Sequence, residues 1–398
     1  MKKWIAAALV LAVVTGCEKS TFSESKAEAQ SRWLQARAVM FCQLARNRLD
    51  AGQVDAAAES VGRALAIQPD FPPARLLAAK VLIQQGKYAE AAARLRGEMD
   101  ACPDSAEIAY LLGVALEKSG ELTEALASYR RAYGLEETNL AAVQAAAEVL
   151  VALGEPKQAQ MLVETFLPKA SQDAGMQELA GRLAAMHGQC ARAAGYYARA
   201  CDLDYHNVCY QECLARARFG AGQFDAALDV LSELARREGY TPPAWVHMMM
   251  GDCHMAAGRS AAAFEDYFRA SELAPKEAAV WRSLARSALA MKDDARAVLA
   301  ARKALQLDGQ DAESAAILGY ALIRNGQAEE ACKVLRHASD GHPTDGTLLC
   351  LLGRAHAAAG DQEQALRCYT AALEADPTSV VARELLAAGK DKRVSRLE

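Results

Sequence analysis

The sequence predicts an all-α array of ten 34-residue helix-turn-helix repeats closed by a C-terminal capping helix, and three periodic features predict it. Glycine recurs at Gly52, Gly86, Gly120, Gly154, Gly188 and Gly222, each 34 residues after the last, and returns at Gly258, Gly326 and Gly360. Lys292 fills the one slot without glycine. Seven residues before each slot stands a small residue: Ala45, Ala79, Gly113, Ala147, Gly181, Ala215, Gly251, Ala285, Gly319 and Gly353. Five residues after it stands alanine every time, at Ala57, Ala91, Ala125, Ala159, Ala193, Ala227, Ala263, Ala297, Ala331 and Ala365. An alanine-rich bundle with accidental spacing does not keep that phase.

Each mark has a cause. Two helices of about 13 residues, roughly 20 Å each, pack closely only where small side chains sit at their crossing, which accounts for the flanking slots. The glycine lies just past the first helix, where a left-handed cap costs a residue without Cβ almost nothing. Pro69, Pro103, Pro275, Pro343 and Pro377 fall seventeen residues after their glycines and stop the second helix. Tyr129, Tyr197, Tyr267 and Tyr369, with Leu95, Leu231 and Leu335 in the same slot, are the large residues that plug between neighbouring helices.

From about residue 38 to 377 this pattern resembles the tetratricopeptide repeat family, most closely in Leu111-Leu112-Gly113 through Ala125, Tyr129 and Ala132, and in Leu351-Leu352-Gly353 through Ala365, Tyr369, Ala372 and Pro377. The resemblance implies a right-handed superhelical solenoid whose first helices line a concave groove. The family's mid-helix aromatic is replaced here, for example by Leu116, His254 and His356.

The array is not uniform. Seven residues after the alanine slot, where alanine is usual, stand Glu98, Phe166 and Leu234, and wider interfaces are expected there. Two extra residues around Arg236 to Pro243 predict a change of superhelical direction. The organisation read from these marks is a signal segment at 1–16 and a lipidated cysteine with a polar tether at 17–35. Repeats one to six follow at 36–239 and repeats seven to ten at 240–377. A capping helix over Ser379 to Leu386 leads into a solvated charged tail within 378–398.

The N-terminus reads as an address. Lys2 and Lys3 precede an apolar stretch from Trp4 to Val14, too short for the roughly 20 residues of a membrane-spanning helix. Val14-Thr15-Gly16-Cys17 resembles the bacterial lipobox, which implies that Cys17 becomes the diacylglyceryl-modified first residue of the exported chain. Glu18 stands where an inner-membrane retention signal usually has Asp, so the expectation is an outer-membrane anchor facing the periplasm, with no other contact with the membrane.

Bulk charge excludes a nucleic-acid binder: 45 basic residues face 50 acidic ones, and loss of Lys2 and Lys3 with the signal takes the net charge from −5 to −7. No Gly-x-Ser-x-Gly, phosphate loop, His-Glu-x-x-His or paired-carboxylate pattern occurs, so neither catalysis nor a cofactor is expected. Eleven cysteines are many for an exported chain. The string from Tyr196 through Cys209 is similar to the Sel1-like cysteine-rich repeats, and a disulfide between Cys201 and Cys209 is expected across that turn. A metal site using Cys201, His206, Cys209 and Cys213 competes with it but lacks a Cys-x-x-Cys knuckle. Cys332, Cys350 and Cys368 are as compatible with buried thiols as with bridges. His247 and His254 share a helix face beside Cys253, and His254 fills the family's aromatic slot, which requires only burial.

The resemblance places residues two, five, nine and twelve of each repeat on the groove. Taking the glycine slot as fifteenth, the ninth residues are Arg46, Lys80, Val114, Glu148, Arg182, Arg216, Asp252, Arg286, Tyr320 and Arg354, six of them basic. Arginine presents a planar fork of donors suited to carboxylates. The file can therefore hold an acidic or amphipathic peptide segment. Equally, Glu178 and Glu212 can pair with Arg182 and Arg216 one turn on. Trp245, Met248 and Met255 add an apolar patch at the seventh repeat that can instead be core. The function expected is a scaffold binding a protein partner in envelope assembly or secretion; the alternative is a module for export or binding of an anionic polysaccharide.

Overall fold

A computed structural model describes residues 22–394, with side chains for 26–390. The signal segment and Cys17 lie outside the described residues. Among the described residues there are 21 helices and no strand. The chain divides into two compact units at Leu183/Ala184, whereas the sequence places its break in the array after Gly239.

In the first unit, repeat one is α1 (Phe22–Asp50) with α2 (Val54–Ile67), and repeat two is α3 (Pro72–Gln84) with α4 (Tyr88–Ala101). Repeat three is α5 (Ala106–Ser119) with α6 (Leu122–Leu135), and repeat four is α7 (Leu140–Ala152) with α8 (Pro156–Phe166). The unit ends inside α9 (Ala174–Met186), the first helix of repeat five. Helix α8 has only 11 residues, and a non-helical segment, 167–173, follows it.

The second unit continues with α10 (Cys190–Leu203) and repeat six, α11 (Val208–Gly220) with α12 (Phe224–Arg236). Repeat seven is α13 (Ala244–Ala256) with α14 (Ser260–Leu273), and repeat eight is α15 (Ala278–Ala290) with α16 (Asp294–Leu307). Repeat nine is α17 (Ala312–Arg324) with α18 (Ala328–Gly341); repeat ten is α19 (Gly346–Ala358) with α20 (Gln362–Ala375). The cap is α21 (Val380–Val394).

The turn inside each repeat is two or three residues long, and its backbone is the one the glycines imply. All nine slot glycines have φ between 70° and 90°. Lys292, in the tenth slot, adopts the same conformation with φ 62°, alone among the non-glycine residues described. The closure is the same with or without glycine: Gln53 donates its N–H to the Arg48 carbonyl at 2.8 Å, and Asp293 donates to Ala288 at 2.9 Å. At Lys292 the Cβ strain is about 1–2 kcal/mol. Side-chain caps start several first helices, with Ser105, Asn139, Asn207, Asp311 and Asp345 each accepting a backbone N–H.

Burial follows the register. Every one of the ten alanine slots has 0% exposure. The small slot and the plug are matched in size. Glycine faces tyrosine in Gly113/Tyr129, Gly251/Tyr267 and Gly353/Tyr369, whereas Ala215 shares a core cluster with Leu231, and Ala79 and Leu95, in the same two slots, are both fully buried. A Cβ on Gly113 would lie 2.6 Å from the Tyr129 ring. Gly319 faces Leu335 instead, and the slots at Ala45, Ala147 and Ala285 go with the smaller plugs Val61, Val163 and Ala301.

The interfaces expected to be wider are filled by what stands in them. Leu234 is buried, Phe166 packs edge-on to Tyr133 at 5.4 Å, and Glu98 is buried against Arg75. Two expectations at the ends are corrected. Residues 22–35, read as tether, are the first part of α1, because Ala27, Glu28, Ala29, Gln30 and Leu34 are strong helix formers and no glycine or proline interrupts them. Helix α21 runs past Leu386 to Val394, straight through Gly389. Its Ala382 and Leu385 cover Cys350 and Ala372, the cap the array requires. No helix among the described residues is long and apolar enough to cross a membrane.

Size matching predicts that Gly113→Ala destabilises the protein by about 1–3 kcal/mol through overpacking, measured by urea unfolding. Combined with Tyr129→Leu, the loss should be smaller than the sum of the two single losses. Strict additivity would refute the match.

Candidate functional site

The groove file is built from the exposed side of the first helices, and its pairing runs from repeat to repeat. A cation at the ninth position meets the second residue of the next repeat. Lys80 on α3 reaches Glu107 on α5 at 2.6 Å, and Arg286 on α15 reaches Glu313 on α17 at 3.7 Å. Arg282, one turn earlier on α15, joins this pair through Asp311 at 2.8 Å and Glu313 at 3.3 Å. Although burial works against the charge on Asp311, the Ser314 hydroxyl and the Arg282 guanidinium hold its carboxyl below the usual carboxylate range.

The pairs expected within helices are present but long: Arg182 to Glu178 at 3.8 Å and Arg216 to Glu212 at 3.9 Å. The shorter partner of Arg182 is Glu148 at 2.9 Å, from the ninth position of the preceding repeat. Glu212 also accepts a hydrogen bond from the Tyr240 hydroxyl at 2.9 Å. Sequence reading named Glu148 in the file but not as the partner of Arg182, and it missed Glu107 and Glu313. Spacings of 34 and 27 residues between opposite charges would have found them.

At Arg46, Arg216 and Arg354 the second residue of the next unit is Pro73, Trp245 or Val381, and these cations meet apolar surface. The Arg216 guanidinium stacks over the Trp245 ring, 4.0 Å from its centroid. Arg354 lies 5.3 Å from the Tyr320 centroid and lines a cavity of about 360 Å³ with Cys350, Leu351, Val381 and Leu385. Arg46 lines another of about 370 Å³ with Pro73, Leu76 and Leu77, a cavity it shares with Lys80, Glu98 and Glu107. The structure thus sorts the file into cations spanned by carboxylates and cations resting on apolar walls. Met248 and Met255, expected on the groove, are corrected to partial core: both are half-buried against the cluster that holds Tyr267 and Leu284. Helix α13 packs against α12 and α14.

The disulfide expectation is also corrected. Cys201 and Cys209 are both free thiols, because the turn sends them to opposite environments. Cys201 is buried with Tyr197 and Leu214, while Cys209 is exposed on α11. Burial pushes the Cys201 thiol up to about 11, with Asp202 adding to the effect. Among the described residues, no three His, Cys, Asp or Glu side chains are arranged to hold a metal ion.

At repeat seven, Asp266 is buried between His247 at 3.8 Å and His254 at 3.6 Å. His254 Nδ1 accepts from Arg259 Nε at 2.9 Å, which leaves its proton on Nε2, facing Asp266. Burial, with Arg259 assisting and Asp266 opposing, lowers the His254 pKa. Cys253 beside it is fully buried, and burial pushes its thiol up to about 11, opposite to what a nucleophile needs. This cluster fills the core of the repeat.

Tetratricopeptide repeat models match residues 42–106, 76–139, 116–183, 214–278 and 346–379, together more than half of the sequence, and the chain belongs to the tetratricopeptide repeat family. Among solved structures it is similar to a chain of the APC/C hetero-tetramer Cut9-Hcn1, at 13% identity and a TM-score of 0.43 over 89% of this chain and 96% of that one. It is similar to the MamA protein at 17% identity and 0.40, over 42% of this chain and 90% of the other. The TPR domain of P58(IPK) matches at 16% identity and 0.34, over 89% and 97%. No curated protein sequence matches the chain. Its fold is that of a protein–protein interaction scaffold.

The free thiols give a direct check of the corrected turn. Under native conditions at pH 8, Cys209 and the exposed Cys102 should be labelled by a maleimide within minutes, and Cys201 and Cys253 only on addition of denaturant. Peptide mass spectrometry reads the order. Equal rates at Cys201 and Cys209 would contradict the placement.

Proposed function

We propose that this protein is a lipid-anchored scaffold of the outer membrane, facing the periplasm, which recruits a protein partner in envelope assembly or secretion through its first-helix face. The observation that carries the choice of partner is the Arg216–Trp245 stack, with its guanidinium half exposed. A planar cation lying on an indole, with Glu212 only at 3.9 Å, keeps donors turned outward for an acidic side chain. The Trp245 ring beside it suits an apolar neighbour of that acid.

An acidic or amphipathic peptide segment fits this better than the alternative, an anionic polysaccharide. A polyanion needs a continuous run of open cations. Lys80, Arg182 and Arg286 instead face Glu107, Glu148 and Glu313.

A photocrosslinking amino acid in place of Glu212 should trap a protein in intact cells, and adding Arg216→Ala or Trp245→Ala should reduce the yield at least about tenfold, as expected for a hot-spot residue. Adducts to glycan alone, or a yield indifferent to both substitutions, would sink the reading.

The anchor is tested separately. Wild-type protein should take up an alkyne-labelled fatty acid and sediment with outer membranes, and Cys17→Ser should do neither. Incorporation that persists in Cys17→Ser would show that the lipobox resemblance misleads.

A further inference from the structure

We propose that the second-helix side of repeats seven and eight carries a separate docking surface, which takes an amphipathic helix of a partner protein that presents a bulky apolar side chain next to a carboxylate. Where α14, α15 and α16 meet lies a cavity of about 430 Å³, walled by Phe264, Phe268, Trp281, Leu284 and Leu299, with Arg296 and Glu265 both in its lining. Phe268 is 44% exposed and Leu299 67% exposed. The indole of Trp281 donates from Nε1 to the Pro275 carbonyl at 3.0 Å, which fixes the ring as one wall before any partner arrives.

The repeat supplies its own control. Ten residues after the turn slot, the other nine repeats carry glycine, alanine, a hydroxyl or a charge, and only the seventh carries a large apolar residue, Phe268. Seven residues after the slot, only Met161 and Leu299 are large and apolar. Packing therefore does not demand these side chains. Exposed aromatic and aliphatic groups gathered at one interface of a repeating array, on positions that are otherwise polar or small, mark a surface made for contact.

Charge names the missing partner. At two other interfaces the residue ten after the slot is an arginine that pairs with a glutamate four after the next slot: Arg96 with Glu124 at 2.6 Å, and Arg302 with Glu330 at 2.6 Å. At the seventh interface those two positions are Phe268 and Arg296, so the bridge is gone and the cation sits on the other side. The Arg296 guanidinium lies over the Phe264 ring at 5.2 Å, and its carboxylate contact is Asp293 at 3.3 Å on its own turn. Asp293 is already engaged as the cap of α16, accepting the Arg296 N–H. An incoming carboxylate restores what Glu124 and Glu330 supply elsewhere.

The walls are helices whose backbone groups are satisfied internally, so they offer no strand edge, and an occupant must satisfy its own backbone, as a helix does. A lipid surface would need apolar ground beyond one cavity. The matching positions of the following repeats are Arg302, Lys333, Arg336 and Arg367.

The test displays a randomised library of amphipathic helices of about 18 residues, five turns, against the full chain, with counter-selection on Leu299→Asp. Recovered helices should carry Leu, Phe, Met or Trp with Asp or Glu three or four residues away. Their affinity should fall at least about tenfold on Leu299→Asp and severalfold on Arg296→Gln. It should be unchanged by Trp245→Ala, which separates this surface from the groove. Circular dichroism checks folding, and Leu299→Ser replaces the aspartate variant if that one fails to fold. Three results overturn the proposal: no helix surviving counter-selection, recovered helices without the acid, or concentration-dependent self-association that Leu299→Asp abolishes, which would make a second copy the occupant.

Discussion

Everything in this chain hangs on the close crossing of two helices at a side chain no larger than a methyl group. The ten fully buried alanines bring the helices of each repeat together. The size match between the slot before the turn and the plug after it then decides how tightly the next helix seats. Glycine with tyrosine and alanine with leucine are two solutions to the same packing volume, and close-packed interiors punish departures from either. Because each repeat touches mainly its neighbours, these local fits add along each unit and do not depend on one large core.

Periodicity made that much legible without coordinates. The register, the positions of the turns, the left-handed caps and the buried alanines are all one-dimensional features, since a 34-residue unit repeats its environment along with its residues. The same logic extended even to Lys292, where the backbone of a glycine slot persists without the glycine. The errors arose where one side chain had to be assigned a direction. Cys201 and Cys209 bracket a short turn, and proximity in sequence gave no sign that one faces the core and the other water. Met248 and Met255 have groove spacing, yet a helix with neighbours on several sides has more than one inward direction. The tether was misjudged because polarity was read as disorder, although Ala, Glu and Gln also favour helix.

The groove itself was half legible. Its basic file could be counted in sequence, but whether those cations are open or occupied depends on residues 27 and 34 positions away, beyond the reach of a one-helix rule. Coordinates divide them into bridged cations and cations resting on rings or apolar walls. That division turns a diffuse basic face into a few discrete places, with Arg216 on Trp245 the clearest.

Lys292 carries a consequence for how the array moves. Its left-handed backbone burdens the folded state by about 1–2 kcal/mol, a strain the opened segment does not share. In a chain of neighbour-coupled repeats, local opening concentrates where the free energy to open is least. Taken alone, that strain raises the opened population of this turn over the same turn built on glycine, about fivefold for each kcal/mol. Helix α16, which follows that turn, bears Arg296 and Leu299, so a partner gripping them would also quieten the breathing.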